Sequence, residues 1–232
     1  MHRVLRIGHR GAAGHAPENT LAAVRRGIEL GVDLVEIDVR CTVDGALVAL
    51  HDATVNRTTN GKGHIDALSL LEARAFDAGD GEQIPTLEQV LNVAAGKTGL
   101  MLELKVAGVA PLTVQAVRKA GFKNPLIYAS FLREELTVVR AIDPEAAVMV
   151  LFGRLPDSPV ACAMKYRPSY VGLRHDTATR RLVDAFHREN LRVCVYTPNS
   201  AGDIKHALSV GVDGVISNFP NRIGPLAKTS VR

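Results

Sequence analysis

Short, nearly continuous apolar runs alternate along the chain with longer segments whose apolar residues recur every three or four positions. The runs at 4–8, 34–41, 100–105, 126–130, 147–152, 170–173, 192–197 and 214–217 have the length and composition of strands. Between them, 20–30, 87–95, 112–120, 134–142, 160–166, 180–189 and 201–210 carry the periodicity of amphipathic helices. Alternating strand and helix predicts an α/β fold with a parallel sheet, and eight strands favour closure into a (βα)8 TIM barrel. The segments ELGVDLVEID (29–38) and SVGVDGVISN (209–218) echo each other. In both, glycine ends a helix in the left-handed region and a strand follows at once, as on the bottom face of a barrel.

One connection breaks the rhythm. From His51 to Pro85 the chain runs far beyond the few residues of an ordinary strand-to-helix loop. We expect one domain over residues 1–232, with an insertion at about 52–85 after the second strand.

Within the strands, alternation assigns faces. In DLVEIDVR, Val35, Ile37 and Val39 share the face that packs under helices, and Leu34, Glu36 and Asp38 share the barrel interior. In GLMLELK, Leu100, Leu102 and Leu104 point outward, while Met101, Glu103 and Lys105 point inward. Glu36, Asp38 and Glu103 then meet near the C-terminal ends of adjacent strands, where barrel active sites lie. Like charges this close repel, and a cation between them is the natural remedy. An all-oxygen set suits one hard divalent ion, Mg²⁺ or Ca²⁺ with Mn²⁺ as an alternative, better than zinc, and no organic cofactor is expected.

Two histidines, His9 and His51, follow apolar runs directly and end beside these acidic tips, so they are the candidate acid–base pair. Arg10 offers a planar fork for phosphate oxygens, and Lys105 adds a second cation. In PENT (17–20), Asn19 is expected to cap a helix, and Glu18 is a candidate contact into the site. His15 is expected in a loop, and His2, His64, His175, His187 and His206 at the surface. With three carboxylates, one divalent cation, Arg10 and Lys105, the site would carry about one positive charge, which one phosphodiester anion neutralises.

Composition changes this picture little. Hydrophobic residues make up 47% and charged residues 22%, an ordinary globular balance, and the net charge of +4 is mild. No basic run with interleaved aromatics marks a nucleic-acid partner, and no apolar run is long enough for stable membrane insertion. Cys41, Cys162 and Cys194 form no CxxC pair and are expected to be free, buried thiols in a cytoplasmic protein. A small-molecule phosphodiester is the expected partner, and the chain is expected to be a monomer or homodimer.

HRGAAGHAPENT, GVDLVEIDVRCTVDGALVALHD, RTTNGKG, IPTLEQVL and LELK together resemble the glycerophosphodiester phosphodiesterases. The resemblance is densest over 7–105 and resumes with SF (130–131), YTPN (196–199) and GVDGVISNFP (211–220). It implies a (βα)8 barrel with a small insertion after the second strand. Glu36, Asp38 and Glu103 would bind the metal, His9 and His51 would exchange protons, and Arg10 and Lys105 would hold the phosphate. Phe131 and Tyr196 would line the substrate side. The implied reaction cleaves a glycerophosphodiester to glycerol 3-phosphate and an alcohol such as choline or ethanolamine.

Two positions depart from the family pattern. Tyr196 stands where Trp is common, and Ser217-Asn218-Phe219-Pro220 replaces T-D-x-P, so the last strand's loop lacks a carboxylate. Two other readings are carried forward. The same site acting on lysophospholipids, by hydrolysis or cyclisation, needs an acyl groove, for which Phe76 is the one indication. A catalytically inactive binding protein on this barrel needs a damaged site, and no key position is damaged.

Overall fold

The computed structural model describes residues 3–224; His2 lies outside them. Eight parallel strands close into a barrel: β1 (Leu5–Gly8), β2 (Leu34–Cys41), β4 (Gly99–Leu104), β5 (Leu126–Ser130), β6 (Ala147–Phe152), β7 (Tyr170–Arg174), β8 (Arg192–Tyr196) and β9 (Gly214–Ser217). Closure comes from β1, which pairs with β9 on one side and β2 on the other. A ninth strand, β3 (Leu47–Ala49), lies antiparallel on the end of β2. Strand prediction missed it because three residues carry too little alternation. The signal was the Asp44-Gly45 hairpin turn, where Gly45 has φ +81°.

Helices α1 (Leu21–Glu29), α3 (Leu87–Ala94), α4 (Val109–Lys119), α5 (Arg133–Ile142), α6 (Pro159–Met164), α7 (Arg180–His187) and α8 (Ala201–Ser209) cover the outside. A short α2 (Leu70–Arg74) lies in the long connection. Helix α4 starts three residues before the expected boundary. Pro111 is tolerated there because first-turn N–H groups have no intrahelical partner. Two neighbouring donors, Gly108 N–H and Ala110 N–H, are taken up by the Glu135 carboxylate at 2.7 and 2.9 Å. Gly31 (φ +67°) and Gly211 (φ +85°) both end their helices in the left-handed region, as their shared motif implied.

Side-chain alternation sorts the core into two layers. Val35, Ile37, Val39, Leu100, Leu102 and Leu104 face the helices in the main apolar layer. Ile7, Leu34, Met101, Ile127, Met149, Leu151, Cys194 and Ile216 fill the lower barrel interior. Above that plug, the same inward rows continue with His9 after Ile7, Glu36 and Asp38 after Leu34, and Glu103 after Met101. The site is therefore the polar upper end of a packed core.

The long connection and the residues before it build a further cluster from Val48, Leu50, Val55, Ile65, Ala73, Ala78 and Ile84, with Phe76 packed against it. One sequence expectation is corrected here. Among the three free cysteines only Cys194 is buried, because Cys41 and Cys162 sit where strand β2 ends and on the partly exposed side of α6. Phe76, the one indication of an acyl groove, packs partly buried against this cluster. Its ring faces Gly61 so closely that a Cβ there would come within 2.5 Å of it.

Candidate active site

Strand register sets the acidic cluster. Asp38 on β2 is paired with Glu103 on β4, and Glu36 lies one inward position below Asp38. Each of the three carboxylates offers an oxygen within 4.8 Å of the other two. Glu36 and Asp38 are 2% and 1% exposed, and Glu36 Oε1 and Asp38 Oδ1 are buried without a hydrogen-bond partner. Orphaned buried anionic oxygens are costly, and a hard cation shared by carboxylates removes that cost. The donor set thus fits the divalent ion inferred from the sequence.

Electrostatics within the cluster are uneven. Burial, then repulsion from Asp38 and Glu103, pushes the Glu36 carboxyl well above the usual range. Glu103 is raised by burial and then by Asp38. Burial also opposes the charge on Asp38, but Lys105 and Arg10 outweigh it and hold that carboxyl low. Lys105 Nζ donates to Glu103 Oε1 at 2.7 Å and lies 3.4 Å from Asp38 Oδ1. Although burial disfavours its charge, these two carboxylates raise the Lys105 pKa.

Arg10 has φ +51°, and its backbone N–H donates to Glu36 Oε2 at 2.7 Å. Its guanidinium lies 3.3 Å from Asp38 and donates to Glu18 Oε1 at 2.6 Å. Glu18 is thereby joined to the acidic cluster through Arg10. The capping expectation for Asn19 is overturned: Thr20 is the N-cap of α1, accepting from Ala23 N–H. Asn19 is buried with φ +58°; its amide donates to Asp38 Oδ2 at 2.8 Å and accepts from Asp38 N–H at 3.2 Å. A local sequence rule saw a cap because Asn is a common capping residue; the contact with Asp38 spans separate elements.

The histidines have different supports. His9 Nδ1 lies 2.6 Å from Asn218 Oδ1, and its Nε2 is 4.0 Å from Glu36 Oε2. Burial, then the Arg10 charge, lowers the His9 pKa to about 4. His51 Nδ1 lies 2.7 Å from Asp52 Oδ1, and its backbone carbonyl accepts from Arg40 Nε at 2.9 Å. Burial lowers the His51 pKa, with Asp38 and Asp52 acting against the shift.

Arg40 continues the inward row of Glu36 and Asp38, a signal that period-two reading contained. Asp52 and Arg57 come from the long connection, where Arg57 donates to Asp52 and Glu18. Glu18 and Asp52 add two negative charges and Arg40 and Arg57 two positive ones. The sum inferred from the sequence is unchanged.

Phe131 and Tyr196 form one wall. Their rings meet edge-to-face at 5.9 Å, Phe131 lies 6.0 Å from Lys105 Nζ, and Tyr196 donates to the Phe152 carbonyl at 2.7 Å. Burial, then the Glu103 charge, pushes the Tyr196 phenol up to about 12. Of the remaining histidines, His15, His64, His187 and His206 are exposed and His175 is half-buried. No helix among the described residues is long and apolar enough to cross a membrane.

A family model described as the glycerophosphoryl diester phosphodiesterase family matches residues 9–222. A glycerophosphodiester phosphodiesterase of Caldanaerobacter subterraneus subsp. tengcongensis is 31% identical, over 95% of this chain and 96% of the relative. An Oleispira antarctica phosphodiesterase, solved in complex with the product sn-glycerol-3-phosphate, is 30% identical with a TM-score of 0.87. The match covers 95% of this chain and 94% of that one. An Agrobacterium tumefaciens glycerophosphodiester phosphodiesterase structure is 28% identical with a TM-score of 0.82, covering 96% and 99%.

Proposed function

The chain belongs to the glycerophosphodiester phosphodiesterase family, and from that premise we propose that it hydrolyses small glycerophosphodiesters with the aid of one divalent cation. Glycerophosphocholine and glycerophosphoethanolamine are the substrates we assign, giving glycerol 3-phosphate and the free alcohol. The carrying observation is the meeting of Glu36, Asp38 and Glu103 within 4.8 Å beneath two histidines and two cations. Those three carboxylates would hold the ion, Mg²⁺, Ca²⁺ or Mn²⁺, which when bound supplies Lewis-acid polarisation of a phosphoryl oxygen. Arg10 and Lys105 bind the phosphodiester and offset charge developing on its oxygens. The glycerol or alcohol moiety lies along Phe131 and Tyr196, whose wall a Trp at 196 would narrow.

Partner chemistry divides the proton work. Asn218 offers His9 a neutral amide oxygen, so Nδ1 carries the hydrogen and Nε2 keeps its lone pair. Burial and Arg10 outweigh the Asn218 hydrogen bond, which by itself favours the charged ring; they keep His9 neutral and make it the base. Asp52 places a carboxylate behind His51 Nδ1, which stabilises an imidazolium and makes His51 the acid for the leaving alkoxide. Two nucleophiles meet this geometry, water and the glycerol 2-hydroxyl. The first gives glycerol 3-phosphate in one step; the second gives a cyclic phosphate that water then opens. Single turnover in ¹⁸O-water separates them.

We take residues 52–85 as an insertion within one barrel domain, since its apolar cluster includes residues flanking it, Val48 and Leu50. Three free thiols suit a reducing, cytoplasmic setting. The test is a panel of glycerophosphodiesters and a lysophospholipid, assayed with each cation and with chelator, beside His51→Ala and Glu103→Ala. We expect glycerophosphodiester turnover that chelator abolishes and that each substitution lowers by about 100-fold or more. Full activity in either variant overturns the site, and preference for the lysophospholipid overturns the substrate class.

A further inference from the structure

The RTTNG stretch at 57–61 has no chemical role in the reading above, yet its arginine joins both halves of the site. Arg57 Nε and Nη2 donate to the two oxygens of Asp52 at 2.7 and 3.2 Å. Its Nη1 and Nη2 donate to the two oxygens of Glu18 at 2.9 and 2.8 Å. Asp52 in turn holds His51 Nδ1, and Glu18 Oε1 also accepts from Arg10 Nη1. A continuous chain therefore runs His51, Asp52, Arg57, Glu18, Arg10, from one acid–base group to a phosphate-binding cation.

We propose that Arg57 is a positioning residue that locks His51 and Arg10 into one rigid unit, so that the insertion aligns the proton donor with the bound phosphodiester. The inference rests on the phosphodiesterase reading of this site. A planar guanidinium bonded twice to each of two carboxylates fixes their relative orientation, which a point-charge ammonium does not. The Asp52 carboxylate can only accept, so this orientation commits His51 to carrying hydrogen on Nδ1 and leaves Nε2 to the substrate. The turn bearing Arg57 is itself anchored. Thr59 donates through both its N–H and its hydroxyl to the Val55 carbonyl, and Val55 is buried in the insertion cluster.

The rival account is a surface ion pair that only holds the insertion down. Arg57 has 47% of its side chain exposed, and ion pairs so open to water add little stability. A positioning role predicts large kinetic effects with little change in melting; the rival account predicts the reverse.

The experiment measures kinetics of Arg57→Ala and Arg57→Lys together with the ¹⁵N imidazole signals of His51, identified by their loss in His51→Gln. The parent is expected to show a single Nδ1–H tautomer at His51 without substrate or metal. In Arg57→Ala we expect mixed tautomers, kcat down about 10–100-fold and KM up several-fold, with melting nearly unchanged. Added guanidinium is expected to restore part of kcat where added ammonium does not, and Arg57→Lys to remain impaired. Should Arg57→Ala not fold, the tautomer and kinetics of Arg57→Lys decide the question. An unchanged His51 tautomer, or kcat and KM within about twofold of an active parent, overturns the proposal. The tautomer readout needs no turnover, so a parent inert on every glycerophosphodiester would refute the functional reading separately.

Discussion

Burial and the charges on Asp38 and Glu103 all act against ionising Glu36, while the histidine beside it is held neutral by burial and by Arg10. At His9 the consequence can be measured directly. Its pKa is lowered to about 4, whereas the unfolded chain takes up that proton near pH 6.5. Between those values the unfolded state binds more protons, so this residue's contribution to stability falls as pH drops from about 6.5 towards 4 and changes no further below that. In metal-free protein, NMR titration of the His9 ring should give a midpoint far below those of exposed His15 and His64. Asn218→Asp should raise that midpoint, since a carboxylate at 2.6 Å favours the imidazolium more strongly than an amide oxygen does. An unchanged midpoint in Asn218→Asp would show that Asn218 does not set the state of His9.

At the scale of elements, the connection from β1 to α1 does two jobs with adjacent residues. Thr20 caps the helix, and Asn19 ties the loop to Asp38 on β2. Thr20→Ala should cost about 1 kcal/mol in urea unfolding, the usual value of a lost cap, and leave kcat within about twofold. Asn19→Ala should cost about 2 kcal/mol, because it strands Asp38 N–H and removes a bond to a buried charge. It should also lower kcat by about tenfold by loosening Asp38. Equal kinetic effects in the two variants would count against a site role for Asn19.

These neighbours also show what sequence reading resolves. Strand faces, helix positions and the carboxylate rows were legible because each depends on residues two to four apart. The Asn19–Asp38 and His9–Asn218 contacts were not, because no local pattern reports which loops meet at a barrel's mouth. Asn218 stood out only as a departure from T-D-x-P. Arg57 and Asp52 were visible in motifs, but their pairing depends on how the insertion folds back.

For the whole molecule, the cation and the barrel should be linked. An ion binding only the folded state at about 100 times its Kd adds about 2.7 kcal/mol. In a chain of 232 residues that is a rise of roughly 5–10 °C in melting temperature. Glu36→Gln should abolish this rise and the activity. Without metal it should be at least as stable as the parent, since it relieves repulsion while an amide oxygen can still accept from Arg10 N–H. A Glu36→Gln protein that still melts higher with Mg²⁺, Ca²⁺ or Mn²⁺ would remove Glu36 from the metal set.

By itself the sequence determined the barrel, its inward and outward faces, the three carboxylates and the two histidines, because strand periodicity is a local property and eight such strands have few ways to close. The tertiary structure decided what stands behind each candidate catalytic group: an amide behind His9, a carboxylate behind His51, and one arginine joining His51 to Arg10. Asp52 is the next residue after His51, but Asn218 lies 209 residues from His9, and Arg57 reaches Arg10 only through Glu18. Only closure of the barrel brings Asn218 to His9, and only folding of the insertion brings Arg57 to Glu18.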